Sequence, residues 1–115
     1  MKKVFVNDPF ARVRDVFERL YPGKKFFCFL AEGLTDESGE DVCGMTVFPG
    51  EGSDESAAPT VYISVDLPIK HAVEILAHEL AHVAAGSAEG HGEAWEFAFG
   101  YIHQEYLKGL GGEAQ

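Results

Sequence analysis

The sequence predicts an α+β domain: a first helix, a three-stranded antiparallel or mixed sheet, a second helix and a C-terminal helix. Three observations carry that expectation. Apolar residues recur at helical spacing after Asp8 and again from Ile69 to Val83. Thr60-Val61-Tyr62-Ile63-Ser64-Val65-Asp66 alternates in the manner of a half-buried strand. Pro22-Gly23, the stretch 49–59 and Gly86 punctuate the chain between the periodic runs.

Each element has its local reason. Asp8 suits a helix cap and Pro9 the first turn. Phe10, Val13, Phe17 and Leu20 then line one face, which should pack on the sheet, and Pro22-Gly23 ends the helix. Phe26-Phe27-Cys28-Phe29-Leu30 is short and aromatic and reads as the first strand. After the acidic connection 33–41, Cys43-Gly44-Met45-Thr46-Val47-Phe48 reads as a second strand, antiparallel to the first. The stretch 49–59 (PGEGSDESAAP) reads as a mobile acidic connector. Pro68 marks the exit of the third strand and suits the start of the second helix. On that helix Ile69, Val73, Leu76, Leu80 and Val83 should bury against the sheet, while His71, Ile75, His78 and His82 fall on another face. Gly86 is placed to end it in a left-handed turn. A final helix should start at His91, with Trp95, Phe99, Ile102 and Tyr106 at core spacing.

With 115 residues, 46% of them hydrophobic and 24% charged, the chain is expected to form one ordinary globular domain over residues 1–108. Residues 109–115 (GLGGEAQ) read as a flexible tail. The formal charge of −10 is uneven. Residues 1–25 hold seven Lys/Arg and three Asp/Glu, residues 26–69 hold nine acids and no Lys or Arg, and residues 70–115 hold two bases and seven acids. That balance disfavours nucleic acid as a partner. The basic start turns polar too soon for a signal peptide, and no apolar run has the length of a membrane span, so a cytoplasmic location is expected. Cys28 and Cys43 give no disulfide framework and are expected as buried free thiols.

The chemistry concentrates in His78-Glu79-Leu80-Ala81-His82, followed after eight residues by His91 in Gly90-His91-Gly92. Residues four apart share a helical face, so His78 and His82 can grip one tetrahedral zinc, with Glu79 one step round beside the open side of the ion. A Gly-containing turn lets His91 return as the third ligand, and Trp95, one turn later, can lock it. Three imidazoles leave a fourth position for a water whose pKa zinc lowers to near 7, and Glu79 is placed to take its proton. Tyr62, Tyr101 and His103 are candidates to hold an oxyanion, unranked by the sequence. The strand 61–65 can pair with an extended peptide. His71 reads as structural or solvated, and His103 as too distant to join the ion. Glu89, Glu93 or Glu96 can supply a fourth ligand or replace His91.

With its ligand spacing, His78-Glu79-Leu80-Ala81-His82 followed by His91-Gly92-Glu93-Ala94-Trp95 resembles the SprT-like zinc metallopeptidases, in which HExxH precedes a third histidine in an HGxxW or HGxxF setting. The resemblance implies a compact zincin-like core, with His78, His82 and His91 as zinc ligands, Glu79 as catalytic base and a peptide or protein as substrate. It is strong over residues 78–95 and architectural over residues 8–77. The interval between His82 and His91 is shorter than in the family members compared, and no cysteine-rich zinc ribbon follows. The acidic balance argues against the DNA-linked role of some members, and the resemblance extends equally to a neighbouring group of minimal zincins. Two other readings remain: a zinc-binding interaction module without hydrolytic activity, and a zinc hydrolase of a small amide.

Overall fold

The computed structural model describes residues 8–50, 57–86 and 91–108. Its elements run α1 (Pro9–Leu20), β1 (Phe27–Ala31), β2 (Gly44–Val47), β3 (Thr60–Ser64), α2 (Ile69–Ala85) and α3 (Glu93–Lys108). The expected α+β order of helix, three strands and two helices is present, and the sheet is mixed.

At α1 the local chemistry is satisfied as the sequence implies. The Asp8 carboxylate accepts the Phe10 and Ala11 amides at 2.9 and 3.3 Å, and Pro9 occupies the first turn. The helix buries Val13, Val16 and Phe17. Its main neighbours are α2 and α3 rather than the sheet, contrary to the expectation. The sheet face is already taken, because α2 covers β2 and β3. Phe17 reaches only as far as Phe26, just before β1, in an edge contact at 5.4 Å.

The strand order is β1-β3-β2, with β1 parallel and β2 antiparallel to β3. The second strand does run opposite to the first, but β3 lies between them. A second correction follows. β3 is central and hydrogen-bonded on both sides, so the strand expected to add a peptide has no free edge, and β1 and β2 are the edges. The registers place Gly44 and Thr46 on the face that carries buried Val61 and Ile63, toward α2. The free thiols of Cys28 and Cys43 are half-buried rather than buried, since one lies in edge strand β1 and the other directly before edge strand β2.

α2 is the central element and is buried almost all round, through Ala72, Val73, Leu76, Ala77, Leu80, Ala81 and Val83. It touches α1, α3, β2 and β3, and its alanines let these neighbours approach closely. Ile69 was expected inside but is 55% exposed. It sits in the first turn, before the helix enters the layered part of the molecule. Gly86 ends α2 with φ 97° and ψ 161°. The positive φ fits the expectation, but ψ is extended rather than left-handed helical, a combination that essentially only glycine adopts. α3 begins at Glu93, two residues later than expected, and buries Ala98, Ile102 and Tyr106. Trp95 and Phe99 pack half-buried against that core. The turn expected over 87–90, the central part of the acidic connector (51–56) and the tail 109–115 lie outside the described residues. Among the described residues, no helix is long and apolar enough to cross a membrane.

Candidate metal centre

The helical repeat sets His78 and His82 one turn apart on α2, with ring centroids 5.1 Å apart. His91 precedes α3 by two residues, and its ring centroid lies 5.2 Å from His78 and 4.8 Å from His82. One ring nitrogen from each histidine lies within 4.8 Å of the other two. His78 Nε2 and His91 Nε2 are 3.3 Å apart. A tetrahedral zinc with nitrogens at about 2.0–2.1 Å holds any two of them roughly 3.3–3.4 Å apart. That pair therefore has the spacing of tetrahedral ligands, and the three histidines can hold a metal ion. Burial, and then the neighbouring His91, push the His78 imidazole below its usual range. The neutral ring this favours is the form that binds a cation.

Trp95 braces the cluster. Its Nε1 donates to the His78 carbonyl at 3.1 Å, tying α3 to α2 at a member of the histidine group. Its ring centroid lies 4.8, 5.6 and 4.6 Å from His78, His82 and His91. Phe99 stacks behind it at 5.5 Å with the two planes 1° apart. Outer contacts that orient ligands typically change metal affinity by about 10–100-fold when removed. Trp95→Phe keeps a ring but loses the donor, and is expected to weaken metal binding by about tenfold. Competition against a chelator of known affinity checks this.

Glu79 is 5% exposed, an unusual setting for a carboxylate. Its Oε1 accepts a hydrogen bond from Thr46 Oγ1 at 2.7 Å, and its Oε2 lies 3.8 Å from His78 Nε2. Burial pushes its carboxyl above the usual range, and the Thr46 hydrogen bond opposes that shift. Gly44, Met45, Thr46 and Phe48 join His78, Glu79, His82 and His91 in lining the open cleft over the cluster. Edge strand β2 is thus one wall of the cleft.

Several candidates named from sequence fall elsewhere. Tyr62 pairs with Phe29, Tyr101 is exposed beside Phe97, and His103 stacks on the far side of Phe99. None of the three candidates for holding an oxyanion lines the cleft. Glu93 and Glu96 are exposed and stand outside the histidine group, as does His71, while Glu89 is not among the described residues. Thr46 and Gly44 also line the cleft, and the histidine motif does not point to either. A glycine inside a strand pattern is the signal that pointed there, because it marks a close approach of backbone or partner.

Comparison with protein-family models, with curated proteins and with solved structures gives no match for this chain. What the centre does is therefore read from its own geometry.

Proposed function

We propose that this protein is a zinc-dependent metallopeptidase with a zincin-like core, similar to the SprT-like enzymes. One observation carries the reading: three imidazoles converge within 4.8 Å while the buried Glu79 carboxylate stands beside them, 3.8 Å from His78. A site that only held a metal for structure would gain nothing from a desolvated acid with one oxygen turned toward the imidazoles. The donor set of three neutral imidazoles suits zinc and leaves room for a water and a carbonyl. Zinc held by His78, His82 and His91 would supply a Lewis acid that polarises an amide carbonyl and acidifies a water.

The rest falls to the protein's own residues. Glu79 takes the proton of the attacking water and delivers it to the departing amine nitrogen. Its burial makes it a better base than an exposed glutamate would be. An extended peptide adds to β2, the edge strand beside the cleft, in place of the central β3. Antiparallel pairing carries the scissile bond along the cleft wall, over the histidines.

Metal dependence tests the reading directly. Purified protein is expected to carry about one zinc per chain. Its cleavage of a denatured protein substrate is expected to stop on chelation and to return when zinc is restored. A metal-free preparation of undiminished activity would contradict the proposal.

A further inference from the structure

We propose that Thr46 is the positioning residue for Glu79: its hydroxyl fixes one carboxylate oxygen so that the other faces the imidazoles, and Gly44 makes that contact possible. The inference rests on the reading of Glu79 as the proton carrier, and adds a residue that the histidine motif does not contain. Thr46 lies 33 positions before Glu79 on a different element. Its Oγ1 stands 2.7 Å from Glu79 Oε1 and 3.2 Å from the Glu79 carbonyl oxygen. A hydroxyl has one proton, and the shorter contact, to the carboxylate, is where it is held most strongly. The terminal torsion of a glutamate is otherwise broad and soft. With Oε1 held by Thr46, the carboxylate plane is set, and Oε2 is left 3.8 Å from His78 Nε2.

The approach of β2 to α2 depends on Gly44. A methyl group at that position would lie 2.5 Å from Ile75 Cγ2, 3.1 Å from the Tyr62 carbonyl oxygen and 3.3 Å from Glu79 Cγ. The first is a forbidden distance, and the second involves backbone that cannot move alone. A side chain there would force Ile75 or the strand to shift, and a shift of the strand would carry Thr46 away from Glu79. Gly44 and Thr46 share the inner face of β2, so strand periodicity itself presents one for close approach and the other for contact.

Three variants test the role. Thr46→Val keeps the shape and removes the hydroxyl, Thr46→Ser keeps the hydroxyl, and Thr46→Ala removes it with no risk of overpacking. Thr46→Val and Thr46→Ala are each expected to lower kcat about ten- to 100-fold, a large part of a general base's usual share. KM and zinc content should stay within about twofold, and Thr46→Ser should recover most of the rate. A second measurement does not depend on activity. In zinc-free protein, a cycle of Thr46→Ala, Glu79→Ala and the double variant is expected to show coupling of about tenfold in the unfolding equilibrium. A crystal structure of Thr46→Val should show the Glu79 carboxylate turned from its place. No coupling together with an unmoved carboxylate would overturn the role of Thr46, whether or not the wild-type chain cleaves peptides. A wild-type chain that binds zinc and cleaves nothing would instead overturn the functional reading, even with coupling intact.

Discussion

Glu79→Gln is expected to lower peptide cleavage by at least 10²–10⁴-fold, the usual contribution of general acid–base catalysis, while zinc content stays unchanged. Glutamine has the size of glutamate and can still accept from Thr46, so the cleft keeps its shape. What it lacks is the capacity to take a proton. The same substitution is expected to stabilise the metal-free protein at neutral pH. Glu79 is 5% exposed and its carboxyl is pushed up by burial, so the folded chain holds that proton more tightly than the unfolded chain does. In acid below the unfolded value, both states are protonated and the folded state bears no penalty. As the pH rises through that value the unfolded chain ionises first, and stability declines until the folded carboxyl has also lost its proton. The variant escapes this loss. Its Tm in the absence of metal should exceed that of the wild type at pH 7, with the gap closing as the pH falls below the ordinary glutamate value of about 4.3. Paired thermal melts across that range, alongside metal analysis and a cleavage assay, read both effects. Loss of zinc along with activity would place Glu79 among the groups that hold the site together, and would remove its role as base.

Much of this arrangement is written in short-range chemistry, and that part is legible in the chain. Asp8-Pro9 declares the start of α1, because the carboxylate caps the free amides and proline needs no donor in the first turn. The spacing of His78 and His82 fixes their common face through the helical repeat alone. Trp95, at the position expected to lock His91, does contact that ring, at 4.6 Å. Long-range choices were not legible. Nothing local states that β3 enters between β1 and β2, since the side-chain pattern of a strand does not name its neighbours. That choice decides which strand borders the cleft: β3 is central, and the edge beside the cleft is β2. The packing of α1 against helices rather than the sheet depends on α2 having covered the sheet first. The hydrogen bond from Thr46 to Glu79 joins residues 33 positions apart, and an ordinary threonine in a strand pattern carries no mark of it. Gly44 carries a mark, yet only the tertiary structure says what comes close.

His82→Ala is expected to weaken zinc binding by two orders of magnitude or more, at least about 2.8 kcal/mol at 1.4 kcal/mol per decade. Removing one of three imidazoles leaves His78 and His91 as the remaining members of the group, too few for the closed protein face that tetrahedral zinc requires. The effect on stability follows by mass action. An ion that binds the folded chain and not the unfolded one stabilises it by about 4.1 kcal/mol at a thousand times its dissociation constant. A hundredfold loss of affinity lowers that free-zinc ratio to about ten and removes most of the gain. The wild type should therefore show a wide separation between its zinc-saturated and metal-free Tm values, and His82→Ala a narrow one at the same zinc concentration. His71→Ala makes the control, because His71 is exposed on the same helix and stands outside the histidine group. It should leave affinity and the Tm separation unchanged. The single tryptophan of the chain offers a direct optical record. Trp95 lies within 5.6 Å, ring centre to ring centre, of all three histidines. Copper or cobalt at the centre should quench its fluorescence saturably in the wild type and in His71→Ala, and only at far higher concentration in His82→Ala. Equal quenching in all three proteins would mean that the ion binds elsewhere, and that the convergence of His78, His82 and His91 is a packing arrangement and no metal site.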